Sequence, residues 1–184
     1  MKNGKLILIL GGARSGKSRF AVDTARKLSS RVVYIATAQA LDEEMQQRIR
    51  MHKKNRIRNW RTIEEPTDLE RIRKLLGKKD KWILFECLTL LVSNLMCKCM
   101  KVLSVKGEGL REKEIINKIR NFIKFLRKEK KGAIFVSNEM GCGIVPDNAV
   151  ARDFRDIHGR VNQLVAELAD EVYFVIAGIG VRIK

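Results

Sequence analysis

The sequence contains no apolar run that approaches the roughly 20 residues a membrane-spanning helix needs. Its first apolar run, Leu6–Leu10, lies too close to the first residue to be the core of a signal peptide. We therefore expect a protein of the cytoplasm, with neither a membrane span nor a secretory signal.

Acidic and aromatic residues are also scarce. The chain has 21 Asp and Glu against 38 Lys and Arg, which gives a formal net charge of +17. A field of this sign attracts nucleic acid, anionic membranes or phosphorylated ligands, but two tyrosines and two tryptophans offer few rings for base stacking. A lineage-wide preference for basic surfaces would give the same charge. Nucleic-acid binding stays as an alternative, and we expect no nucleic-acid partner.

The four cysteines lack the spacing of a metal site. Cys97 and Cys99 are separated by one residue, whereas a zinc site usually needs C-x₂-C and a second pair of ligands. Cys87 and Cys142 stand alone in the sequence. We interpret all four as reduced thiols, with Cys97 and Cys99 acting as small apolar residues at the end of a helix; a redox or metal role is the alternative.

A phosphate-binding pattern lies near the N-terminus. Residues Gly11–Ser18 match G-x-x-x-x-G-K-[ST] at every fixed position. The apolar run before them predicts a buried strand, and Ala21, Ala25 and Leu28 after them predict a helix. Glycines let backbone N–H groups face an anion, and the helix N-terminus adds partial positive charge. A glycine-rich turn that matches by chance is the alternative.

This pattern predicts the binding of a nucleoside triphosphate. Lys17 would reach the β- and γ-phosphates, and the Ser18 hydroxyl would bind Mg²⁺. The predicted contacts of the loop are Gly11, Gly12, Ala13, Arg14, Ser15, Gly16, Lys17 and Ser18.

Strands alternate with helices along the rest of the chain. We predict one domain over residues 1–184, with an α/β fold of the P-loop NTPase type: three layers, RecA-like, with a mainly parallel central sheet. Strands are predicted at 6–10, 31–36, 81–86 and 133–137, with an extended segment at 60–65 and a final pair at 172–177 and 181–183. Helices are predicted after the phosphate loop, from Asp42, at 67–76, 88–100 and 110–130, and from Pro146, with a loop at 101–109.

Polar residues follow several of the predicted strands. Because ligands bind at the carboxyl ends of parallel strands, Gly11, Thr37, Glu86, Asn138 and Glu139 should meet at one rim. A carboxylate at the place of Glu86 orients Mg²⁺ in phosphate-loop enzymes. A strand-end carboxylate with no metal role is the alternative.

The chain has only two histidines. His52 stands among Arg48, Lys53, Lys54 and Arg56, and such cations suit phosphates and would keep the imidazole neutral. A neutral imidazole is a nucleophile that forms a phosphoramidate when it attacks phosphorus. The alternative is a histidine packed on the helix face of Met45 and Ile49. We expect His158 to be a helix-surface residue.

The motifs together resemble those of a known family, and they cover essentially the whole chain. The sequence is similar to the bifunctional adenosylcobinamide kinase/adenosylcobinamide-phosphate guanylyltransferases of cobalamin biosynthesis. The matching stretches are the phosphate loop, Tyr34-Ile-Ala-Thr-Ala38 with Asp42-Glu-Glu-Met45, Arg48-Ile-x-x-His52-x-x-x-Arg56-x-x-x-Trp60-x-Thr-Ile-Glu-Glu-Pro66, Glu86-Cys-Leu-Thr89 with Ser93-Asn-Leu95, Val136-Ser-Asn-Glu-x-Gly-x-Gly-Ile-Val-Pro146, Ala151-Arg-x-Phe-Arg-Asp156, Gly159-Arg-x-Asn-Gln163, Ala169-Asp-Glu-Val172 and Ala177-Gly178.

The resemblance implies two reactions that use GTP, ATP and Mg²⁺. A nucleoside triphosphate phosphorylates adenosylcobinamide, and GMP then passes from GTP through a histidine to adenosylcobinamide phosphate. The guanylylated histidine falls on His52, and the phosphate-loop pattern already assigns Mg²⁺ to Ser18 and Glu86. Beyond the loop, the implied nucleotide contacts are Ala36, Thr37, Ala38, Lys53, Lys54, Asn55, Arg56, Glu64 and Glu86. The family also suggests a homo-oligomer, as a trimer.

Two positions depart from the family pattern. Some relatives have a second histidine where this chain has Met51, and many have Asp in place of Glu86. Asn138, Glu139 and the Gly141–Gly143 loop are candidates for corrinoid contact by position only. A plain small-molecule kinase, with His52 in a structural role, remains the alternative enzyme.

Overall fold

The computed structural model describes residues 4–54, 56–102 and 108–184. Asn55, one of the predicted nucleotide contacts, lies outside the described residues, and so do residues 103–107 of the predicted loop. Among the helices within these ranges, none is both long enough and apolar enough to span a bilayer.

One seven-stranded sheet forms the centre of the fold, in the order β3-β2-β4-β5-β1-β6-β7. The first six strands run parallel, and β7 pairs antiparallel with β6. The strands are β1 (Leu6–Gly11), β2 (Val32–Ala36), β3 (Arg61–Glu64), β4 (Trp82–Glu86), β5 (Gly132–Asn138), β6 (Glu171–Ile176) and β7 (Ile179–Arg182). The prediction of a mainly parallel α/β sheet is confirmed.

Six described helices connect these strands. They are α1 (Lys17–Leu28), α2 (Glu43–Lys54), α3 (Leu69–Leu75), α4 (Leu88–Val102), α5 (Glu108–Lys128) and α6 (Ala149–Leu168). Because α4 continues to Val102 and α5 begins at Glu108, the predicted loop at 101–109 is wrong at both ends. Helix α6 begins after Asn148, whose side chain accepts a hydrogen bond from the Ala151 amide, and not at Pro146.

Apolar side chains cover both faces of the sheet, so the molecule has three layers. On β1, Leu6, Leu8 and Leu10 pack toward α3–α6, whereas Ile7 and Ile9 pack toward α1. A parallel strand buried on both faces is a continuous apolar run, which is the pattern that predicted it.

One expectation for α6 is wrong. His158 was predicted on the surface but is 1% exposed. Its ring nitrogen Nε2 lies 3.0 Å from the Ser137 hydroxyl on β5, so a long-range partner satisfies it inside the fold.

Candidate active site

The phosphate loop joins β1 to α1 through a tight turn. Arg14 and Gly16 both have positive φ, at 56° and 90°, and α1 begins directly afterwards at Lys17. Glycine adopts this backbone without strain, which accounts for Gly16. The Ser15 hydroxyl is buried and has no hydrogen-bond partner within the described part of the chain. The turn therefore presents backbone amides and an unengaged hydroxyl at the start of a helix, which is an anion-binding arrangement.

Lys17 lies across this turn. Its Nζ donates a hydrogen bond to the Gly12 carbonyl at 3.0 Å. Burial lowers the pKa of Lys17, and the charges of Cys87 and Glu86 act in the opposite direction. The ammonium group is thus held over the loop, beside the carboxylate at the end of β4.

The β6–β7 hairpin supports the loop from the side. The Gly178 amide donates to the Ser15 carbonyl at 2.8 Å, and a Cβ on Gly16 would lie 2.9 Å from the Gly178 Cα. The contact leaves no room for a side chain at Gly16, and the φ of +85° at Gly178 is a conformation that favours glycine. Sequence reasoning missed this support, although Ala177-Gly178 was among the motifs that carried the family resemblance.

Thr37 joins the ends of β2 and β4. Its hydroxyl donates to the Cys87 carbonyl and accepts from the Cys87 amide, both at 2.8 Å, while its own amide donates to the Glu86 carbonyl at 3.1 Å. Ala36, the preceding residue, is buried and its carbonyl accepts from the Glu65 amide. Ala38 is partly exposed. The Thr37 hydroxyl therefore holds the ends of β2 and β4 together.

Glu86 is the centre of the rim. Its side chain is only 9% exposed, and its Oε2 accepts a hydrogen bond of 2.5 Å from the Tyr34 hydroxyl. Its other oxygen, Oε1, faces His52 Nδ1 at 3.9 Å. That separation is an ion-pair distance and is longer than a hydrogen bond. Burial, and then the Glu86 carboxylate, raise the pKa of Tyr34 well above its ordinary value.

His52 lies in the last turn of α2 with its side chain 49% exposed. About half of the side chain is thus open to solvent, whereas the alternative interpretation was a histidine packed on the helix face of Met45 and Ile49. The structure brings this histidine together with Glu86, which comes from a different element. The sequence placed both residues near the nucleotide, but it did not predict that they face one another.

Three of the predicted nucleotide contacts form one ion cluster beside His52. Lys53 Nζ and Arg56 Nη1 lie 2.8 and 3.1 Å from the same Glu64 oxygen. The hydrogen bond from Lys53 is the main reason why the pKa of Glu64 is lowered. The Arg56 guanidinium also lies over the Tyr34 ring, 4.7 Å from its centroid. Lys54 is exposed.

The oxygen donors near the loop fit a metal that arrives with a nucleotide. Among residues 4–54, 56–102 and 108–184, no group of three or more His, Cys, Asp or Glu could hold an ion by itself. Ser18 and Glu86 are hard oxygen donors, and Mg²⁺ in phosphoryl-transfer sites typically takes one or two protein ligands plus phosphate oxygens.

Cys87, Cys97 and Cys142 are free thiols, and burial raises the pKa of Cys87 to about 11.

A buried polar network holds the neighbouring rim at the end of β5. The Ser137 hydroxyl donates to Asn162 Oδ1 at 2.7 Å, and Asn162 Nδ2 donates to the Asn138 carbonyl at 2.9 Å. The Asn138 amide donates to Thr89 Oγ1, and the Glu139 amide donates to the Gly11 carbonyl. Burial lowers the pKa of His158, which contacts Ser137, to about 4. This network ties the candidate corrinoid contacts to the phosphate loop.

Comparisons with known proteins agree with the family resemblance of the sequence motifs. The model of the family described as cobinamide kinase / cobinamide phosphate guanyltransferase matches residues 7–183. The bifunctional adenosylcobalamin biosynthesis protein CobU of Salmonella typhimurium is 42% identical over 187 residues, covering 97% of this chain and 99% of the relative. CobU of Escherichia coli is 41% identical with the same coverage. CobP of Pseudomonas aeruginosa is 38% identical, covering 96% of both chains.

A solved structure supports the fold separately. A KaiC-like protein from Pyrococcus horikoshii superposes with a TM-score of 0.51 at 10% identity, covering 94% of this chain and 71% of the other. At that identity the likeness concerns the fold alone, and it confirms the predicted P-loop, RecA-like architecture.

The family itself follows from the matched residues and the relatives. The chain therefore belongs to the cobinamide kinase / cobinamide phosphate guanyltransferase family.

Proposed function

We propose that this chain phosphorylates adenosylcobinamide with a nucleoside triphosphate and then transfers GMP from GTP, through His52, to adenosylcobinamide phosphate. The product of the second reaction is adenosylcobinamide-GDP. The proposal rests on one observation: His52 Nδ1 lies 3.9 Å from Glu86 Oε1, at the edge of the sheet that also carries the phosphate loop.

For the kinase reaction, the loop amides and Lys17 bind the β- and γ-phosphates. The substrate hydroxyl attacks the γ-phosphorus and releases its proton to solvent, the bond between that phosphorus and the bridging oxygen breaks, and the nucleoside diphosphate leaves. Positioning and charge stabilisation account for most of the catalysis in this class of reaction. Ser18 and Glu86 would hold Mg²⁺, which supplies positive charge to the phosphate oxygens when bound.

For guanylyl transfer, Glu86 orients the nucleophile. A carboxylate that faces Nδ1 favours the tautomer with the proton on Nδ1, which leaves the Nε2 lone pair free to attack. Nε2 forms a bond to the α-phosphorus and pyrophosphate leaves with the electrons of the broken P–O bond. The ring is then cationic, with its Nδ1–H toward Glu86, so the carboxylate stabilises the intermediate.

The second half of the reaction reverses the charge change. A phosphate oxygen of adenosylcobinamide phosphate attacks the α-phosphorus, the P–N bond breaks, and its electrons return to Nε2. His52 is neutral again. Lys53 and Arg56, which Glu64 holds beside the nucleophile, supply positive charge for the phosphate oxygens in both halves.

We also propose that the chain forms a homo-oligomer, as the family resemblance implies. Ile179, Val181 and Ile183 alternate along and beyond β7, the edge strand of the sheet, and are 69%, 48% and 61% exposed. Burial of this apolar edge against other copies would remove these side chains from water.

The experiment that tests the function uses GTP labelled at the α-phosphate, with Mg²⁺. We expect label on the protein that is stable to base and lost in acid, as a phosphoramidate should be. GTP labelled at the γ-phosphate should leave none. His52→Ala should lose the label but keep kinase activity, whereas Met51→Ala, a change at the exposed neighbour, should keep both. Retention of the label by His52→Ala would overturn the proposal.

A further inference from the structure

Tyr34 is a buried tyrosine whose hydroxyl is committed to Glu86. It lies on β2, only 4% exposed, and its hydroxyl donates the 2.5 Å hydrogen bond to Glu86 Oε2. In the parallel register of β2 and β4, Ala36 stands opposite Glu86 and Tyr34 opposite Leu84. Tyr34 is thus two residues earlier on the same face, and its long ring reaches along the sheet to the carboxylate.

The position of the ring is determined from both sides. One side of the ring faces the sheet, in the same apolar cluster as Leu84 on the neighbouring strand β4. The Arg56 guanidinium covers the ring at 4.7 Å from its centroid, and Glu64 in turn holds Arg56 at 3.1 Å. Packing and a cation–π contact therefore fix where the hydroxyl lies.

The hydrogen bond leaves Glu86 with one oxygen directed at the nucleophile. A glutamate side chain turns readily about its last torsion, so either oxygen of a free carboxylate could face His52. With Oε2 held by Tyr34, the carboxylate plane is set and Oε1 is the atom that faces Nδ1.

We propose that Tyr34 is a positioning residue for guanylyl transfer: its hydroxyl sets the Glu86 carboxylate so that Oε1 orients the His52 imidazole. This inference rests on the proposed function, because it requires His52 to be the nucleophile. Tyr34 acts through Glu86 and contacts no reacting atom. Phosphorylation of the substrate hydroxyl uses Glu86 only as a ligand of Mg²⁺ and needs no oriented imidazole, so loss of this bond should slow the kinase reaction far less than guanylyl transfer.

The test compares the two reactions in one variant. Tyr34→Phe keeps the ring under Arg56 and removes only the hydroxyl. We expect single-turnover guanylylation from α-labelled GTP to slow by roughly 10–100-fold, by analogy with the loss of a hydrogen-bond partner that orients a metal-ligating histidine. The KM for GTP and the kinase kcat should stay within about twofold of the wild-type values. The kinase rate also reports that the variant is folded.

The other tyrosine of the chain is the matched control. The Tyr173 hydroxyl donates to Glu171 Oε2 at 3.3 Å, so Tyr173→Phe also removes a phenol that is bonded to a carboxylate. It should leave both reactions unchanged. In a double-mutant cycle, Tyr34→Phe should add no further loss to Glu86→Gln, because the hydroxyl acts only through the carboxylate.

Three results would overturn the inference: guanylylation by Tyr34→Phe at the wild-type rate, equal losses in both reactions, or additive losses in the cycle. His52→Ala separates these results from a failure of the proposed function. If His52→Ala loses the label while Tyr34→Phe keeps the wild-type rate, only the positioning role is wrong. If His52→Ala keeps the label, both are wrong.

Discussion

His158 makes the stability of the fold depend on pH. Burial lowers its pKa from 6.5 to about 4 in the folded chain. The Ser137 hydroxyl has one hydrogen, which it donates to Asn162, so His158 Nε2 must be the donor of their 3.0 Å contact. A second proton would have to enter at Nδ1, inside the fold, where burial penalises the charged ring.

The sign and size of the effect follow from the two pKa values. Between about pH 4 and 6.5 the unfolded chain binds a proton at His158 that the folded chain does not, so stability is fully present above pH 6.5 and falls as the pH drops toward 4. A tenfold difference in proton affinity corresponds to about 1.4 kcal/mol, which gives roughly 3 kcal/mol over the whole range. About 2.5 kcal/mol of this should be lost by pH 4.5.

The assay is urea unfolding at pH 7.5 and 4.5 for the wild type and His158→Gln. Glutamine can still donate to Ser137 but does not titrate, so the variant should lose about 2.5 kcal/mol less than the wild type between the two pH values. Carboxylates such as Glu64 titrate in both proteins and cancel in the comparison. Equal pH dependence in the two proteins would show that His158 does not take up the proton on unfolding.

A direct titration of His158 tests the same prediction if the His158→Gln variant is poorly folded. His52→Ala leaves His158 as the single histidine in the chain, so its imidazole proton resonances need no assignment. We expect no titration of the folded protein above pH 5. A midpoint near the ordinary value of 6.5 would refute the buried, neutral state.

Two further predictions concern the β6–β7 hairpin. A Cβ on Gly180 would lie 2.3 Å from the Phe20 ring, so Gly180→Ala should lower the free energy of unfolding by about 1–3 kcal/mol. A Cβ on Gly159, in α6, would meet open space, so Gly159→Ala should raise the free energy of unfolding by up to about 1 kcal/mol. Urea denaturation measures both changes. The opposite order would contradict the packing of the hairpin on α1. Sedimentation equilibrium should give the mass of an oligomer, and Val181→Glu should shift it toward the monomer; a monomeric wild type would contradict the homo-oligomer.

The strands and motifs that depend on local sequence patterns were predicted well from the sequence. Parallel strands buried on both faces are continuous apolar runs, which is why β1, β2, β4 and β5 were located within a residue or two. The phosphate loop is a contiguous motif. His52 was singled out because cations surround it in sequence. The prediction that residues 1–184 form one domain stays a prediction.

What could not be predicted depends on contacts between distant segments. Tyr34 and Glu86 are 52 residues apart, and only the pairing of β2 with β4 brings them together. His158 was misjudged as a surface residue because its partner, Ser137, lies on a strand 21 residues earlier. The support of Ser15 by Gly178 likewise needs the C-terminal hairpin to fold beside β1.

The attachment site of the nucleotide shows whether His52 is the nucleophile. Lys53 and Lys54 are amines beside His52, and a guanylylated lysine would show the same acid and base stability as a guanylylated histidine. The wild-type protein should therefore be incubated with GTP and Mg²⁺, digested at neutral or basic pH, and mapped by tandem mass spectrometry. We expect one GMP moiety per chain, on His52. GMP on either lysine, or a protein that turns over substrate without ever carrying GMP, would contradict this expectation.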